Sequence, residues 1–485
     1  MSSDDVIELG HQPERTLENI RQVLITKIPS YIESRRRKLL QESSEIDTVS
    51  YRILDCHVTL LSPSNSVRNL SSDIYRAEIE TEENKIKENG EINQKHVRKE
   101  SLIVKKYAMN SGVRDMQDSS HLFYVESKMF SDVIPLFHST LSPISGDSDS
   151  GYSSSNLRKA YSLFPKCYYT SPKCKDSLIV LEDLENSGYR IGENDSLLMD
   201  FDHIVLALEG LARFHALSYA MKKKDPQGFY GHVVQKLKKG KKLCSEDKTR
   251  ELMYAHAYFQ CLQFAALQPL EVFAMEHLKG SGKYGSCVER LNTLLEDTVG
   301  LIRNLLIPKE PLSVLCHGNF NMKNILFLYD SSNKPVAVKF TDFRNVHYAS
   351  PAIDLSLFLF LNASPELRAA NWVDFFSIYH KTLLKAISEF LECPEEELLP
   401  EYSIGAFKEE FSKHAVYGYV VTAGCVTSAL SKRVKIQKIF EMFSNGFSSR
   451  ENVDNCIKEN LKLEGEEVTS RLVSLIKELV DEGYL

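Results

Sequence analysis

The pattern of hydrophobic residues changes once along the chain, and this change constrains the fold more than any other feature. Residues 51–183 contain short alternating or β-branched runs separated by polar segments, which is typical of β-strands joined by loops. From residue 186 onward the pattern is helical, except for one β-rich stretch over residues 313–341. We therefore predict an α+β fold with two lobes: a β-rich N-lobe over residues 51–185 and a mostly helical C-lobe over residues 186–485. A helical extension over residues 1–50 precedes them.

Charge and composition argue against two classes of partner. The net charge is −7 and the sequence pI is about 6.1, so no global basic field attracts nucleic acid. The most apolar stretch, residues 352–361, is about half the length of a membrane span, and it contains Asp354. The first ten residues carry acids and lack an apolar segment, and the 10 cysteines are scattered singly. We therefore predict a cytoplasmic protein with reduced thiols, no membrane span and no nucleic-acid partner.

Two polar loops follow hydrophobic runs inside the β-rich stretch of the C-lobe. Residues 314–327 read Val-Leu-Cys-His-Gly-Asn-Phe-Asn-Met-Lys-Asn-Ile-Leu-Phe, and residues 336–344 read Val-Ala-Val-Lys-Phe-Thr-Asp-Phe-Arg. Phosphoryl transfer needs a residue that deprotonates the acceptor hydroxyl and oxygen ligands that hold magnesium on the phosphates. In kinase-type loops these parts are an aspartate, an asparagine five residues later and an Asp-Phe pair after the next hairpin strand. Here Asn319, Asn324 and Asp342 occupy those positions, so two of the three match.

The first loop resembles that of the ecdysteroid-kinase-like (CHK kinase-like) family, relatives of choline kinases and aminoglycoside phosphotransferases. In this family the loop usually reads His-Gly-Asp-x-Trp-x-x-Asn and is followed by Asp-Phe-Gln. The resemblance covers most of the chain and includes segments in the family's order at residues 71–76, 101–105, 123–126, 178–184, 211–216 and 348–355. It implies a two-lobed protein-kinase-like fold that uses ATP and Mg²⁺.

For the N-lobe, the resemblance assigns residues to the nucleotide. Lys105 would hold the α- and β-phosphates, and Glu126 would form an ion pair with its ammonium group. Lys106 is the less suitable lysine because it points to the opposite face of its strand. The adenine would hydrogen-bond to the backbone around Glu182 and Leu184.

For the C-lobe, the resemblance assigns Asn324 and Asp342 to magnesium, through the oxygen ligands that this ion prefers. His317 would brace the catalytic loop, with a purely structural role as the alternative, and Asp354 would anchor the loop from below. The predicted catalytic residues are therefore Asn319, His317 and Asp342.

Several residues depart from the family's pattern. An amide at Asn319 cannot take a proton, although its oxygen can still orient a hydroxyl. General-base help is typically worth about 10²–10⁴-fold in rate. Asn321 stands where the family has tryptophan, and Arg344 stands where it has glutamine, so an added charge could hold the phosphates or block the site. The loop over residues 62–70, where a nucleotide loop is expected, contains no glycine.

Three functions remain open at this point. The first is a phosphotransferase that moves the ATP γ-phosphate to the hydroxyl of a small molecule, an ecdysteroid-like alcohol by resemblance. The second is a pseudokinase that binds nucleotide or steroid without turnover, which the asparagine at position 319 favours. The third is a scaffold without a ligand.

Overall fold

The computed structural model describes most of the chain, namely residues 12–43, 48–62, 72–86, 92–107, 119–141, 155–171, 177–192, 196–239, 248–277, 282–398, 402–430, 449–461 and 465–485. Of the predicted glycine-free loop, residues 63–70 lie outside these ranges. Contacts between residues divide the chain into two compact units. The first unit contains Met1–Asn110 and Pro165–Ser187, and the second contains Ser111–Phe164 and Gly188–Leu485.

The first unit is an antiparallel sheet covered on one face by a long helix. Its five strands lie in the order β1-β2-β3-β5-β4. The elements are helix α1 (Gln12–Ser43) and strands β1 (Thr48–Ser62), β2 (Ser72–Ile86), β3 (Ile92–Tyr107), β4 (Cys167–Ser171) and β5 (Leu178–Glu182).

The helical extension packs against this sheet through one apolar stripe. Ile20, Leu24 and Ile28 recur every four residues, so they share one face of α1, and all three are buried. They join one hydrophobic core with sheet residues that include Val104 of β3 and Val180 of β5. The alternation of side chains along β3 therefore turns Val104 toward α1 and Lys105 toward the other face of the sheet.

The second unit is mostly helical and contains two small sheets. Strands β7 and β10 form one sheet, and β6, β8 and β9 form the other in the order β6-β8-β9. The strands are β6 (Arg190–Ile191), β7 (Val314–Cys316), β8 (Ile325–Tyr329), β9 (Pro335–Phe340) and β10 (His347–Ala349). The α-helices are α2 (Ser119–Lys128), α3 (Ile134–Leu141), α4 (Ser155–Ser162), α5 (Phe201–Lys224), α6 (Gln235–Lys239), α7 (Lys248–His277), α8 (Gly282–Glu296), α9 (Thr298–Leu305), α10 (Ala352–Asn362), α11 (Pro365–Leu391), α12 (Ile404–Leu430), α13 (Arg450–Asn460) and α14 (Glu466–Asp481).

Two buried helices, α5 and α10, form the core beneath the small sheets. Every residue of α10 is buried, and α10 packs against α12, while α5 packs against α11. Within the described part of the chain, α5 is the one helix long and apolar enough to cross a membrane. Its most apolar window is 83% buried inside the protein, which is the burial of a core helix.

The predicted α+β fold class is confirmed, with a β-rich first unit and a mostly helical second unit. The β-rich stretch of the second unit coincides with strands β7, β8 and β9. The domain boundaries at residues 50 and 185 stay predictions, and contacts group residues 111–164 with the second unit.

Candidate functional site

The two polar loops meet at one end of the β8–β9 hairpin. Asn324 directly precedes β8, and Asp342 follows β9 after a single residue. The backbone N–H of Thr341 donates to the carbonyl of Asn324 at 2.9 Å, which continues the register in which Ile325 pairs with Phe340. The hairpin therefore places the backbones of Asn324 and Asp342 at the same end, and their convergence on a metal ion stays a prediction.

A buried carboxylate anchors the loop that follows β7. Asp354, on the first turn of α10, accepts hydrogen bonds from the backbone N–H of His317 at 2.6 Å and of Gly318 at 2.8 Å. Nε2 of His215 lies 3.2 Å from the same carboxylate, and Asp354 has no exposed surface. Burial alone would raise the pKa of Asp354, but the hydrogen bonds and charges around it, above all those of His215, hold this pKa below its ordinary value.

His317 ties the two loops together. Its Nε2 donates to the backbone carbonyl of Thr341 at 3.0 Å, and its ring packs against Phe320 and Phe343. Burial lowers the pKa of His317, so the ring is neutral at physiological pH. Its Nδ1 has no hydrogen-bond partner among the described residues. A neutral, fully buried ring acts as a brace, and its predicted catalytic role stays a prediction.

The close approach of the two loops requires glycine at position 318. Gly318 has φ of +76°, a conformation that L side chains rarely adopt. A Cβ at this position would lie 2.1 Å from the backbone oxygen of Asn345, which follows the second loop. The glycine thus allows the loop that follows β7 to lie directly against the loop that follows β9.

Three asparagines form a hydrogen-bonded network whose amide orientations are fixed by the backbone. Oδ1 of Asn321 accepts from the N–H of Lys323 at 3.0 Å, so Nδ2 of Asn321 is the atom that faces Asn319. This Nδ2 donates to the carbonyl of Asn319 at 3.0 Å and to Oδ1 of Asn319 at 2.9 Å. One of the two lone pairs on the side-chain oxygen of Asn319 is therefore engaged by Asn321.

In Asn324 the amide nitrogen, and not the oxygen, is hydrogen-bonded to the neighbouring asparagine. Its Nδ2 donates to the carbonyl of Asn319 at 2.8 Å, and a carbonyl can only accept. The side-chain oxygen Oδ1 of Asn324 is thus the atom left to face a ligand. An oriented amide oxygen is a suitable ligand for a hard cation.

Asp342 adopts a left-handed backbone conformation and forms an ion pair. Its φ and ψ are 66° and 57°, which is uncommon for a residue other than glycine and is tolerated best by aspartate and asparagine. Nε of Arg344 lies 3.1 Å from Oδ1 of Asp342, and the two side chains are only 19% and 15% exposed. Low exposure strengthens this pair relative to one in bulk water.

Magnesium fits this site in ligand type but not in charge. Asn324 and Asp342 supply the oxygen atoms that Mg²⁺ prefers, and a carboxylate usually provides the negative charge that binds it. Here the carboxylate of Asp342 is already paired with the guanidinium of Arg344. This ion pair reduces the negative charge that these residues offer a cation, and magnesium at Asn324 and Asp342 stays a prediction from the sequence.

An aromatic cluster fixes the turn that carries Arg344. The ring of Phe343 is fully buried and packs against Phe130, Phe164 and Phe214, with ring centroids 5.7, 5.4 and 6.2 Å away. Helix α2, which carries the buried Glu126, also packs against this turn. Sequence reasoning missed this cluster because its members come from distant segments.

Other predicted nucleotide residues belong to the first unit. Lys105 lies on β3 between Ile74 of β2 and Ile179 of β5, whereas the neighbouring Lys106 is buried. Glu182 ends β5, where its backbone N–H donates to the carbonyl of Lys166 at 2.8 Å.

The short segment after β5 is held by an ion pair that sequence reasoning missed. The buried Asp183 accepts from Arg76 at 2.8 Å and from Ser101 at 2.6 Å. The next residue, Leu184, is buried, and its carbonyl accepts from Ser187 at 3.1 Å. The roles of Lys105, Glu126, Glu182 and Leu184 in nucleotide binding stay predictions.

Comparison with known proteins identifies a family over more than half of the chain. The model of the ecdysteroid kinase-like family matches residues 66–391. No curated protein matches the chain.

Solved structures give a looser likeness. One is the apoenzyme of a macrolide 2'-phosphotransferase from Brachybacterium faecium, which is 12% identical in sequence. The match covers 88% of this chain and 99% of that chain, with a TM-score of 0.32. Another is the GDP complex of wild-type aminoglycoside 2'-phosphotransferase-IIIa, with 8% identity, 93% and 99% covered, and a TM-score of 0.32. Superpositions this loose do not specify a nucleotide, a substrate or a reaction.

Proposed function

Because this chain belongs to the ecdysteroid kinase-like family of kinase-like phosphotransferases, we propose that it binds ATP at the loops of Asn324 and Asp342 without efficient turnover. One observation carries the second half of this proposal, namely the amide at position 319, whose oxygen accepts a hydrogen bond from Asn321. The first half is supported by Asn324, whose amide nitrogen is bonded within its own loop, so that the amide oxygen is the candidate ligand atom.

Asn319 cannot deprotonate an acceptor hydroxyl, because an amide oxygen is not a base at neutral pH. A catalytic carboxylate accepts the hydroxyl's hydrogen bond and then its proton. The oxygen of Asn319 already accepts from Asn321 at 2.9 Å, which engages one of its two lone pairs. We therefore expect transfer to be slower by about 10²–10⁴-fold than with a carboxylate.

The nucleotide's other contacts are proposed from the resemblance. Lys105 would bind the phosphates with support from Glu126, and the backbone around Glu182 and Leu184 would bind the adenine. A cytoplasmic location and the absence of a nucleic-acid partner are part of the same proposal.

The test combines a binding and a turnover measurement on the full chain. ATP binding is measured by isothermal titration calorimetry, and phosphate transfer is measured as a mass increment on a panel of ecdysteroids in the presence of Mg²⁺. We expect the natural chain to bind ATP with little transfer, and Asn319→Asp to increase transfer by about 10²-fold or more. Asn304→Asp makes the same chemical change at an exposed position of α9 and is the matched control.

The result that would overturn the proposal is efficient transfer by the natural chain that disappears in Asp342→Ala. Absence of ATP binding under every condition would also overturn the proposal, because its first half is that the chain binds ATP.

A second candidate function is active phosphoryl transfer to a small-molecule alcohol, with an ecdysteroid as the acceptor by resemblance. It is favoured by the retained pair of Asn324 and Asp342, which the hairpin places at the same end. The mass measurement on the natural chain separates this candidate from the first.

A further inference from the structure

A network of one arginine and two acids holds the turn that follows β5 in the first unit. Nε of Arg76 donates to Oδ2 of Asp183 at 2.8 Å, and Nη2 of Arg76 donates to Oε2 of Glu185 at 2.6 Å. The hydroxyl of Ser101 donates to the same Oδ2 at 2.6 Å, and the backbone N–H of Glu185 donates to Oδ1 of Asp183 at 3.1 Å. The network therefore joins β2 and β3 to this turn.

The two halves of the network differ in strength because they differ in burial. The side chains of Arg76 and Asp183 are 28% and 3% exposed, whereas that of Glu185 is 67% exposed. Water screens a buried ion pair less than an exposed one, and a buried carboxylate that loses its partner carries an uncompensated charge. The turn is therefore held mainly by the pair of Arg76 and Asp183.

Arg76 lies on the face of the sheet that carries Lys105. The strand register pairs Arg76 with Ile103, which is two residues before Lys105 on β3. Residues in this diagonal relation have Cα atoms about 7–8 Å apart. The residue between them on β3, Val104, belongs to the core beneath α1, so Arg76 and Lys105 both face away from that helix. Arg76 is thus a neighbour of the lysine that we expect to bind the phosphates.

The network fixes the backbone that we expect to bind the nucleobase. The N–H of Glu185 is bonded to the carboxylate of Asp183, and the carbonyl of Leu184 accepts from the N–H of Ser187 at 3.1 Å. Among the described residues, the N–H of Leu184 has no acceptor. Both neighbours of Leu184 are thus tied to Arg76, and its own N–H is left to a ligand.

The charges of the network indicate which part of a nucleotide it faces. One guanidinium and two carboxylates have a net charge of −1. A net negative group repels a phosphate and does not neutralise it. The uncharged base is therefore the part of a nucleotide that fits this turn, and the phosphates fit better beside the ammonium group of Lys105.

We propose that Arg76 is a positioning residue for the nucleobase, because it holds Asp183 and Glu185 and so fixes the turn whose Leu184 N–H binds the base of ATP. The inference rests on the proposed function, since it concerns how the base of the bound ATP is received. A turn that is ordered before the nucleotide arrives does not have to be ordered on binding, which raises the affinity for the base.

The test compares ATP with tripolyphosphate, which has three linked phosphates and no base. ATP is titrated calorimetrically into the full chain with Mg²⁺, and tripolyphosphate is measured by its displacement of ATP. For Arg76→Met we expect ATP affinity to fall by about tenfold or more, because the turn must then be ordered on binding. Tripolyphosphate affinity should change by less than about threefold, since the variant alters no phosphate contact.

Two further variants grade the effect. Arg76→Lys keeps the charge but loses the fork that binds two carboxylates, so its ATP affinity should lie between those of the natural chain and Arg76→Met. Glu185→Ala removes only the exposed half of the network and should lower ATP affinity by about two- to fivefold, the scale of an exposed ion pair.

Matched controls separate this role from a change in net charge or folding. Arg98→Met removes one positive charge at an exposed position of β3 and should leave both affinities unchanged. Thermal unfolding of each variant without ligand, followed by circular dichroism, verifies that the chain is folded. If Arg76→Met fails to fold because Asp183 is left unpaired, the double variant Arg76→Met with Asp183→Asn removes that charge and should show the same loss for ATP alone.

Each outcome decides between the claims. Unchanged ATP affinity in a folded Arg76→Met variant overturns the inference and leaves the proposed function standing. Equal losses for ATP and tripolyphosphate show that Arg76 acts on the phosphates or on the fold, and also overturn it. Absence of ATP binding by the natural chain refutes the proposed function itself.

Discussion

Replacement of Asp354 by alanine should destabilise the second unit strongly, because one buried carboxylate satisfies three donors. These donors are the backbone N–H groups of His317 and Gly318 and Nε2 of His215, at 2.6, 2.8 and 3.2 Å. Leaving a buried donor unsatisfied costs about 1–3 kcal/mol, and removing one partner of a buried charged pair costs about 3–5 kcal/mol in total. We expect a loss of about 3–5 kcal/mol because the three terms share one carboxylate and do not add fully.

The chain contains a built-in probe for this measurement. Trp372 is the single tryptophan of the sequence, it lies in the second unit, and its ring is nearly parallel to Phe360 of α10 at 6.4 Å. Its fluorescence during urea unfolding therefore reports on the unit and the helix that carry Asp354. With a slope of about 2–3 kcal/mol per molar urea, the expected loss lowers the midpoint by roughly 1–2.5 M.

Two further variants sharpen the result. Asp354→Asn keeps an acceptor oxygen but places an NH₂ group against backbone donors, so its midpoint should fall between those of the natural chain and the alanine variant. Asp374→Ala, at an exposed position of α11, should change stability by less than about 0.5 kcal/mol. Equal midpoints for Asp354→Ala and Asp374→Ala would refute the anchoring role of this carboxylate.

Three other predictions concern the same loop and use the same fluorescence assay. The folded state depresses the pKa of both Asp354 and His317, so it binds fewer protons than the unfolded chain. The free energy of unfolding should therefore decrease as pH drops below about 6.5, and decrease further below about 4. A higher urea midpoint at pH 5 than at pH 8 would contradict this. Gly318→Ala should lower the free energy of unfolding by several kcal/mol and weaken ATP binding, because φ is +76° and the new Cβ would meet a carbonyl oxygen at 2.1 Å. A change in stability below about 1 kcal/mol would show that the loop relaxes freely. Tyr379→Phe removes the hydroxyl 2.8 Å from Nδ1 of the buried His215 and should cost about 1–3 kcal/mol, whereas an unchanged midpoint would mean that this bond does not support the anchor.

The sequence predicted the parts of the site that depend on strand ends. Asn324 and Asp342 flank short hydrophobic runs, and a hairpin formed by those runs places both residues at its same end. Family order predicted that Asp354 anchors the loop, and three hydrogen bonds to its carboxylate agree with this role. These features follow from local pattern and chain order alone.

The chemistry that decides function could not be predicted in the same way. Residue type shows that Asn319 is an amide, but only the structure shows that its oxygen accepts a hydrogen bond from Asn321. Likewise, the sequence left open whether Arg344 binds phosphate or blocks the site, because its pairing with Asp342 depends on the turn between them. That turn is shaped by aromatic rings from three other segments, which no local pattern connects.

A crystal structure of the full chain grown with ATP and Mg²⁺ tests the central claim most directly. We predict an intact triphosphate bound beside Asn324 and Asp342. Density for ADP without the γ-phosphate at these loops, or no nucleotide there, would contradict the account.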